Sequence, residues 1–527
     1  MSGFLLAKKS RFLQSPYLEI IIMVSSVILA YFGLAVLSMV PQIPAEGAMQ
    51  TSSITLVILA FFLLSVAIAM ISVIAGIGGG VIFTPLMLAF TGIDSPVVRG
   101  TGLLVAMFSG LISTGIFLKK GLGNYKLCLT LTLSQSVGAL LGATLAMTAV
   151  KTAGALSEGW MRTSLGILLA LIAVYLLLGG KKLEWPVIRK VDRFTAWLKL
   201  GGSYYEESEG QYKTYGVTRA PFGILLLFFI GTIGGFYGMG GGWAITPTLN
   251  MVMGLPLKLA AANSHIILGI GSCVSIWPYV NAGSIIPLFV LPWLCGQVIG
   301  GFIASHIFAK IRVKVVRLIL IGIMVFTAFT LITKGLNILN LMGEISALVQ
   351  VIFFTAILAC VIAVMLINNK KEVANSKPKN GDTLAKPLTN PQTSLPTSIR
   401  VYANFVYWIM LVVSVAALFI PVFVLADPAN NLLNPNTIFS AIFNGASPSE
   451  IWGTSDFGAF PGMNGFFQNL AKADSWAMLI VNIGCAAGLV AVIPAAIIQF
   501  LKEKERLSAF LGTVMIGLII CAMNGVI

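Results

Sequence analysis

Apolar residues in this chain fall into long unbroken runs, without the one-face or alternating patterns of soluble helices and strands. Runs near 20 residues recur around 17–41, 53–75, 100–118, 126–149, 160–179, 219–236, 258–280, 284–308, 313–334, 345–367, 403–425, 476–500 and 507–527. Each is long enough to cross a bilayer as a helix. Two further runs, 80–92 and 242–254, are too short to cross about 30 Å at 1.5 Å per residue. Both follow a glycine cluster, and both read as the returning arm of a hairpin or a broken helix. The pattern predicts an all-α polytopic integral membrane protein with Gly-broken short helices.

Composition agrees. Of 527 residues, 57% are hydrophobic and 10% charged, and mean hydropathy is +0.96. Too little polar surface is available to cover soluble domains of this total size. The net charge of +15 is read as loop charge that sets topology, with no nucleic acid as partner. Lys8, Lys9 and Arg11 place the N-terminus in the cytoplasm, and the apolar run after them is longer than that of a cleaved signal. Lys119, Lys120 and Lys126, the segment from Lys181 to Lys213, Lys310 to Arg317, Lys370 to Lys386 and Lys502 to Arg506 mark further inner loops. Arg99, Lys151 and Arg162 fall outside, against the trend. Pro186 to Leu200 has the spacing of an amphipathic helix on the inner leaflet. Asn368 to Ser398 has the composition of a disordered linker, and Asp427 to Asp474 is a long outer loop with room for a small ordered cap.

The chain also matches itself. Gly76-Ile77-Gly78-Gly79-Gly80-Val81-Ile82-Phe83-Thr84-Pro85 resembles Gly238-Met239-Gly240-Gly241-Gly242-Trp243-Ala244-Ile245-Thr246-Pro247, an offset of 162 residues. The register holds without a gap: Gly92 meets Gly254, Ser113 meets Ser275, Gln135 meets Gln297, and Gly138 meets Gly300. By the loop charges the two copies enter the membrane from opposite faces, the inverted repeat of many secondary transporters. The organisation expected is a first helix and outer loop (1–52), transporter repeat 1 (53–180), a cytoplasmic amphipathic loop (181–218) and transporter repeat 2 (219–335). A further helix (336–367), a cytoplasmic linker (368–400) and C-terminal helices (401–527) carrying the outer loop 427–475 complete it.

These motifs resemble the TauE/SafE family, also called the toluene-sulfonate uptake permease group. The family pattern is a helix ending in G-x-G-G-G, then x-x-x-[TP]-P, then a small residue with Thr-Ser at the next helix start. Gly76 to Pro85 and Gly238 to Pro247 carry the first two elements; Gly100-Thr101-Gly102 and Ala262-Asn263-Ser264 keep the third in part. The resemblance covers residues 53–335 and implies transport of a small anion, often a sulfur oxoanion or sulfonate, across the cytoplasmic membrane.

The residues themselves offer matching chemistry. Gly78, Gly79, Gly80 and Gly240, Gly241, Gly242 let a ligand approach the backbone, and the short helices behind them aim free N–H groups and a positive dipole end at an anion. Close helix packing by glycine is the competing reading. Thr84 and Thr246 are candidate donors to the anion or to their own helices. Gln135 and Gln297 lie on helix stripes with Gly138 and Gly300, suited to an anion or to an interhelical bond; Asn263 and Ser264 are weaker candidates. His265 reads as a buried packing residue. No Asp or Glu lies well inside a span, which disfavours cation and proton carriers and intramembrane proteases. Six scattered cysteines and two histidines point to no metal, cofactor or catalytic set. The function expected is a secondary anion transporter. An anion channel on the same scaffold, or a membrane sensor or assembly subunit, stand as alternatives.

Overall fold

The computed structural model describes residues 16–39, 48–178, 191–206, 211–308, 313–343, parts of 345–359, and 395–525. Most of the expected helix at 345–367, the linker at 368–394 and the basic N-terminal residues lie outside the described residues. Ten helices among the described residues are long and apolar enough to cross a membrane. Strand structure among them is limited to one hairpin, β1 (Gly202–Glu206) against β2 (Gln211–Tyr215). The chain is a polytopic all-α membrane protein.

Helix α1 (Pro16–Ser38) precedes α2 (Thr51–Ala75). Gly76 ends α2 in the left-handed conformation, at φ 74°. After three more residues α3 (Gly80–Phe90) begins, and α4 (Ser95–Lys119) follows. The long helix α5 (Tyr125–Leu178) breaks at Gly154 into two arms, Tyr125–Gly154 and Leu156–Val174. The expected amphipathic helix at 186–200 is shorter in its described part: α6 (Arg193–Leu198) starts only after Asp192, whose carboxylate accepts from the Thr195 amide. Then α7 (Ala220–Phe236) leads to a second break and to α8 (Gly242–Pro247). Here the two short helices differ. Pro85 sits inside a regular α3, whereas Pro247 ends the α-helical stretch and Thr248–Val252 widens into a π turn.

Helices α9 (Leu257–Ser275) and α10 (Trp277–Asn281) together form one span, Leu257–Asn281. It is the counterpart of α4 at the same offset of 162, residue for residue at both ends. Both spans are buried throughout their apolar stretch. They cross antiparallel: Gly100 packs on Tyr279, Gly110 on Gly269, and Asn124, just past α4, donates its amide to Asn263. Helices α11 (Pro287–Ile307) and α12 (Val313–Ile338) complete the first bundle, with α2 packed along α11 and α7 along the first arm of α5.

The remaining helices wrap this crossing. On α13 (Thr397–Ala426), Tyr407 and Ala403 meet Gly115 of α4. Three short helices, α14 (Pro435–Phe443), α15 (Pro448–Gly453) and α16 (Gly462–Gln468), order the loop 427–474 into a cap. Asn436 exchanges two backbone-directed bonds with Met49, and Trp452 donates its indole N–H to Gly283 O at 2.7 Å. Helices α17 (Ala473–Cys485), α18 (Ala487–Ile498) and α19 (Arg506–Met523) follow. Gly484 and Gly488 bring α17 and α18 against Phe108 of α4 and Cys273 of α9.

Candidate functional site

The breaks after α2 and α7 meet at the crossing of α4 and α9, and they meet reciprocally. Thr84 donates its hydroxyl to Gly238 O at 2.8 Å, and Thr246 donates its own to Gly76 O. The threonine 162 positions on from Thr84 thus bonds the glycine 162 positions back from Gly238. The same exchange recurs in the packing. A Cβ added at Gly80 would meet Met239 O at 2.8 Å, and one added at Gly242 would overlap Ile77 O. Gly78 packs on Leu268, and Gly240 on Leu268 and on its counterpart Ala106. Further out, Gly138 seats Phe228 O and Gly300 seats Val66 O. Gly76, Gly78, Gly238 and Gly240 all hold positive φ, between 68° and 79°, a region that residues with a Cβ rarely adopt. Glycine is therefore favoured by the turn at these four positions and required by the approach of the opposite hairpin at Gly80 and Gly242.

This geometry assigns most of the polar candidates to specific bonds. The hydroxyls of Thr84 and Thr246 are held by the opposite hairpin. Asn263 is engaged at both ends: Oδ1 accepts from the Asn124 amide, and Nδ2 donates to Leu122 O and Leu259 O. It fixes the turn between α4 and α5. Gln297 donates Nε2 to Ser65 O and Oγ, both at 3.0 Å, which aims Oε1 at Gly79. To donate to an anion there, its amide must turn over and release Ser65. Gln135 lies against Gly271, with Oε1 buried and unpartnered among the described residues. Its position lacks the serine partner, because Leu227 stands 162 positions on from Ser65. Ser264 Oγ is likewise buried without a partner among the described residues. Gly79 donates its amide to Ser109 Oγ at 3.3 Å. The foremost N–H groups of α3, those of Gly80 and Val81, are of the kind a helix leaves without an internal acceptor. Gly241 is the least constrained of the six glycines, with only Ile245 and Ile230 side chains near an added Cβ, at 3.0 and 3.2 Å.

One residue is not among the sequence candidates. Arg99, on the second turn of α4, is 1% exposed, and Gly238 packs directly on its backbone. Its Nε donates to Ser95 O at 3.4 Å, and Nη1 to Phe236 O at 3.2 Å and Met161 Sδ at 3.4 Å. Nη2 has no partner among the described residues. The Tyr279 ring stands 6.0 Å from the guanidinium carbon. The signal in the sequence is an arginine at the head of an otherwise uncharged apolar run, which the loop-charge rule treats only as a topology anomaly. Nearby, Arg162 is bonded to Glu158 and donates Nη1 to Leu88 O at 2.6 Å. Burial, reinforced by the Glu158 charge, pushes the Asp94 carboxyl up to about 7, against the pull of Arg99 and Arg162. Away from the hinges, a cavity of about 240 Å³ opens between Thr148, Lys151, Asn281 and Ala522. Among the described residues no cluster of three His, Cys, Asp or Glu could hold a metal ion.

Comparison with known proteins places these features. A family model described as "Sulfite exporter TauE/SafE" matches residues 60–331, which contain both hairpins and the crossing. A second family model, whose description carries no function, matches residues 399–526. A relative in Bacillus subtilis (strain 168), "Probable membrane transporter protein YunE", is 25% identical over 273 residues, covering 50% of this chain and 92% of the relative. Two crystal structures of the Eremococcus coleocola manganese transporter, one in complex with an aromatic bis-isothiourea substituted compound and one of a mutant, align over 92% of this chain and 97% of theirs. They are 12% identical at a TM-score of 0.14, a likeness that carries no argument about fold or cargo. With its family model covering both glycine hairpins, the chain belongs to the sulfite exporter TauE/SafE family of membrane transporters.

Proposed function

We propose that this protein is a secondary transporter that moves a small anion, a sulfur oxoanion or short sulfonate, across the cytoplasmic membrane. The carrying observation is the reciprocal clasp of Thr84 on Gly238 and Thr246 on Gly76. Together with the antiparallel crossing of α4 and α9, it supports reading 53–180 and 219–335 as inverted copies. In such a pair each half takes the other's conformation in turn, so that the site between them opens to one face and then the other. The interlocked glycine turns form the septum between the two faces. The half-helix N–H groups behind Gly79 and Gly241, with Gln135, Gln297 and Ser264 around them, form the anion's path. The helices that carry the hinges, α2 to α4 and α7 to α9, contain no Asp or Glu, which favours an anion over a cation. The sulfur chemistry is taken from the family alone.

The test is purified protein in liposomes, assayed for uptake of radiolabelled sulfite, sulfate, thiosulfate and methanesulfonate. Saturable flux of at least one, dependent on a counter-ion gradient, is expected. Non-saturating flux would make the protein a channel, and cation flux without oxoanion competition would overturn the anion reading.

A further inference from the structure

Among the described residues, Arg99 is a buried cation with no carboxylate within ion-pair distance. The ion pairs found there are Lys126 with Glu505 and Arg162 with Glu158. A guanidinium taken out of water is costly unless a counter-charge and its hydrogen bonds are restored. Arg99 has three neutral acceptors, at Ser95, Phe236 and Met161, and one nitrogen with none.

Packing does not explain the residue. Ala261, its counterpart 162 positions on, makes the equivalent contact against Gly76, so an alanine suffices to seat a hinge glycine. The arginine breaks the reciprocity of the two glycine contacts, with a charged side chain against Gly238 and an alanine against Gly76. Its unpartnered nitrogen belongs to a head held at the second hinge, between the Phe236 carbonyl that ends α7 and the face of Tyr279. Tyr279 is itself fixed by donating its hydroxyl to Gly235 O at 3.1 Å.

We propose that Arg99 is the charged half of an oxoanion site beside the second hinge, with Nη2 donating both N–H groups to oxygens of the anion. An oxoanion suits this better than a halide, because the planar nitrogen presents two directed donors in one plane. The neighbours leave room for such a charge. Asp94 feels the charges of Arg99, Arg162 and Glu158, Glu158 is already bound to Arg162, and Asp94, with its carboxyl near 7, is a partial counter-ion at neutral pH. The site rests on the transporter reading above and names the residue that gives that reading its charge selectivity. It also makes the two halves chemically unequal: the approach past α4 carries a cation where the approach past α9 carries Ala261.

Binding and structure test it together. Full-length protein in nanodiscs is titrated with radiolabelled sulfite and sulfate, as wild type, Arg99→Gln and Arg99→Lys. Arg99→Gln is expected to weaken oxoanion binding about tenfold to a hundredfold, the loss of hydrogen bonds to a charged group, and Arg99→Lys to recover part of it. Unchanged affinity in Arg99→Gln, or no recovery by lysine in folded protein, overturns the site while leaving the transporter reading intact. Absence of any oxoanion flux by wild type in liposomes overturns that reading first. If Arg99→Gln does not fold, cryo-electron microscopy of wild type in sulfate and in chloride decides. Density the size of an oxoanion on Nη2, present only in sulfate, is expected; a water-sized feature bridging Asp94 and Arg99 in both salts refutes the proposal.

Discussion

Thr84 and Gly238, 154 residues apart in sequence, are joined by a buried hydrogen bond of 2.8 Å, and Thr246 with Gly76 repeats it at the matching positions. The two bonds tie each half-helix to the opposite hairpin. Thr84→Val and Thr246→Val keep the side-chain shape and remove the donor. Each is expected to cost about 1 kcal/mol of stability, the net worth of one such bond. Because both clasps close one contact, the double variant should depart from additivity. Thermal unfolding and liposome flux measure this; two additive, functionally silent substitutions would make the clasps incidental.

Glycine substitutions should rank by what each would meet. Gly242→Ala drives a methyl into Ile77 O, and Gly80→Ala into Gly102 O and Met239 O, at 2.6 and 2.8 Å. Both contacts are backbone and cannot swing aside, so transport should be lost at a cost of about 1–3 kcal/mol or more. Gly79→Ala meets Gln297 Oε1 at 2.5 Å and Val105 at 2.8 Å, and Gly241→Ala meets only side chains at 3.0 Å and beyond. Activity is expected to fall in the order Gly241, Gly79, Gly80, Gly242, measured as flux at equal membrane expression. Gly241→Ala as damaging as Gly242→Ala would contradict the interlock.

Much of the membrane architecture was legible because hydrophobic run length is set by bilayer thickness alone. The glycine turns were legible through their repetition at one offset. What stayed hidden was partnership. No local pattern says that Thr84 bonds across to Gly238 instead of to its own helix, or that Asn263 bonds Asn124 and Leu122 at the turn after α4. Gln135 and Gln297 share a register, yet only Gln297 finds a serine, because the position equivalent to Ser65 is Leu227. Arg99 escapes the charge rule for loops, which has no term for a cation kept inside.

The topology assigned from loop charges predicts that the cap and the β hairpin lie on opposite faces. A cysteine placed at Ser447, which starts α15 in the cap, should react with an impermeant maleimide from outside intact cells. One placed at exposed Ser203, in β1, should react only after permeabilisation. The reverse pattern would overturn the orientation.

Asp94 gives a pH dependence with a definite sign. Its carboxyl is raised from 3.8 to about 7 by burial and by Glu158, with Arg99 and Arg162 opposing. Folded protein therefore holds this proton more tightly than unfolded protein, and stability falls as pH rises from about 4 through about 7. Over the same window, loss of the proton adds a negative charge near Arg99, so oxoanion affinity should fall. Asp94→Asn should flatten both slopes. Isothermal titration across that range measures the effect, and an affinity that rises with pH, or a slope unchanged in Asp94→Asn, would exclude Asp94 as its source.

Directed flux in proteoliposomes tests the central claim most directly. Wild type, loaded with one oxoanion and challenged with a gradient of radiolabelled sulfite, should show saturable uptake. Sulfate or methanesulfonate should compete, potassium and manganese should not, and Gly242→Ala should abolish uptake. Uptake that does not saturate, or transport of a cation that no oxoanion competes with, would contradict the account.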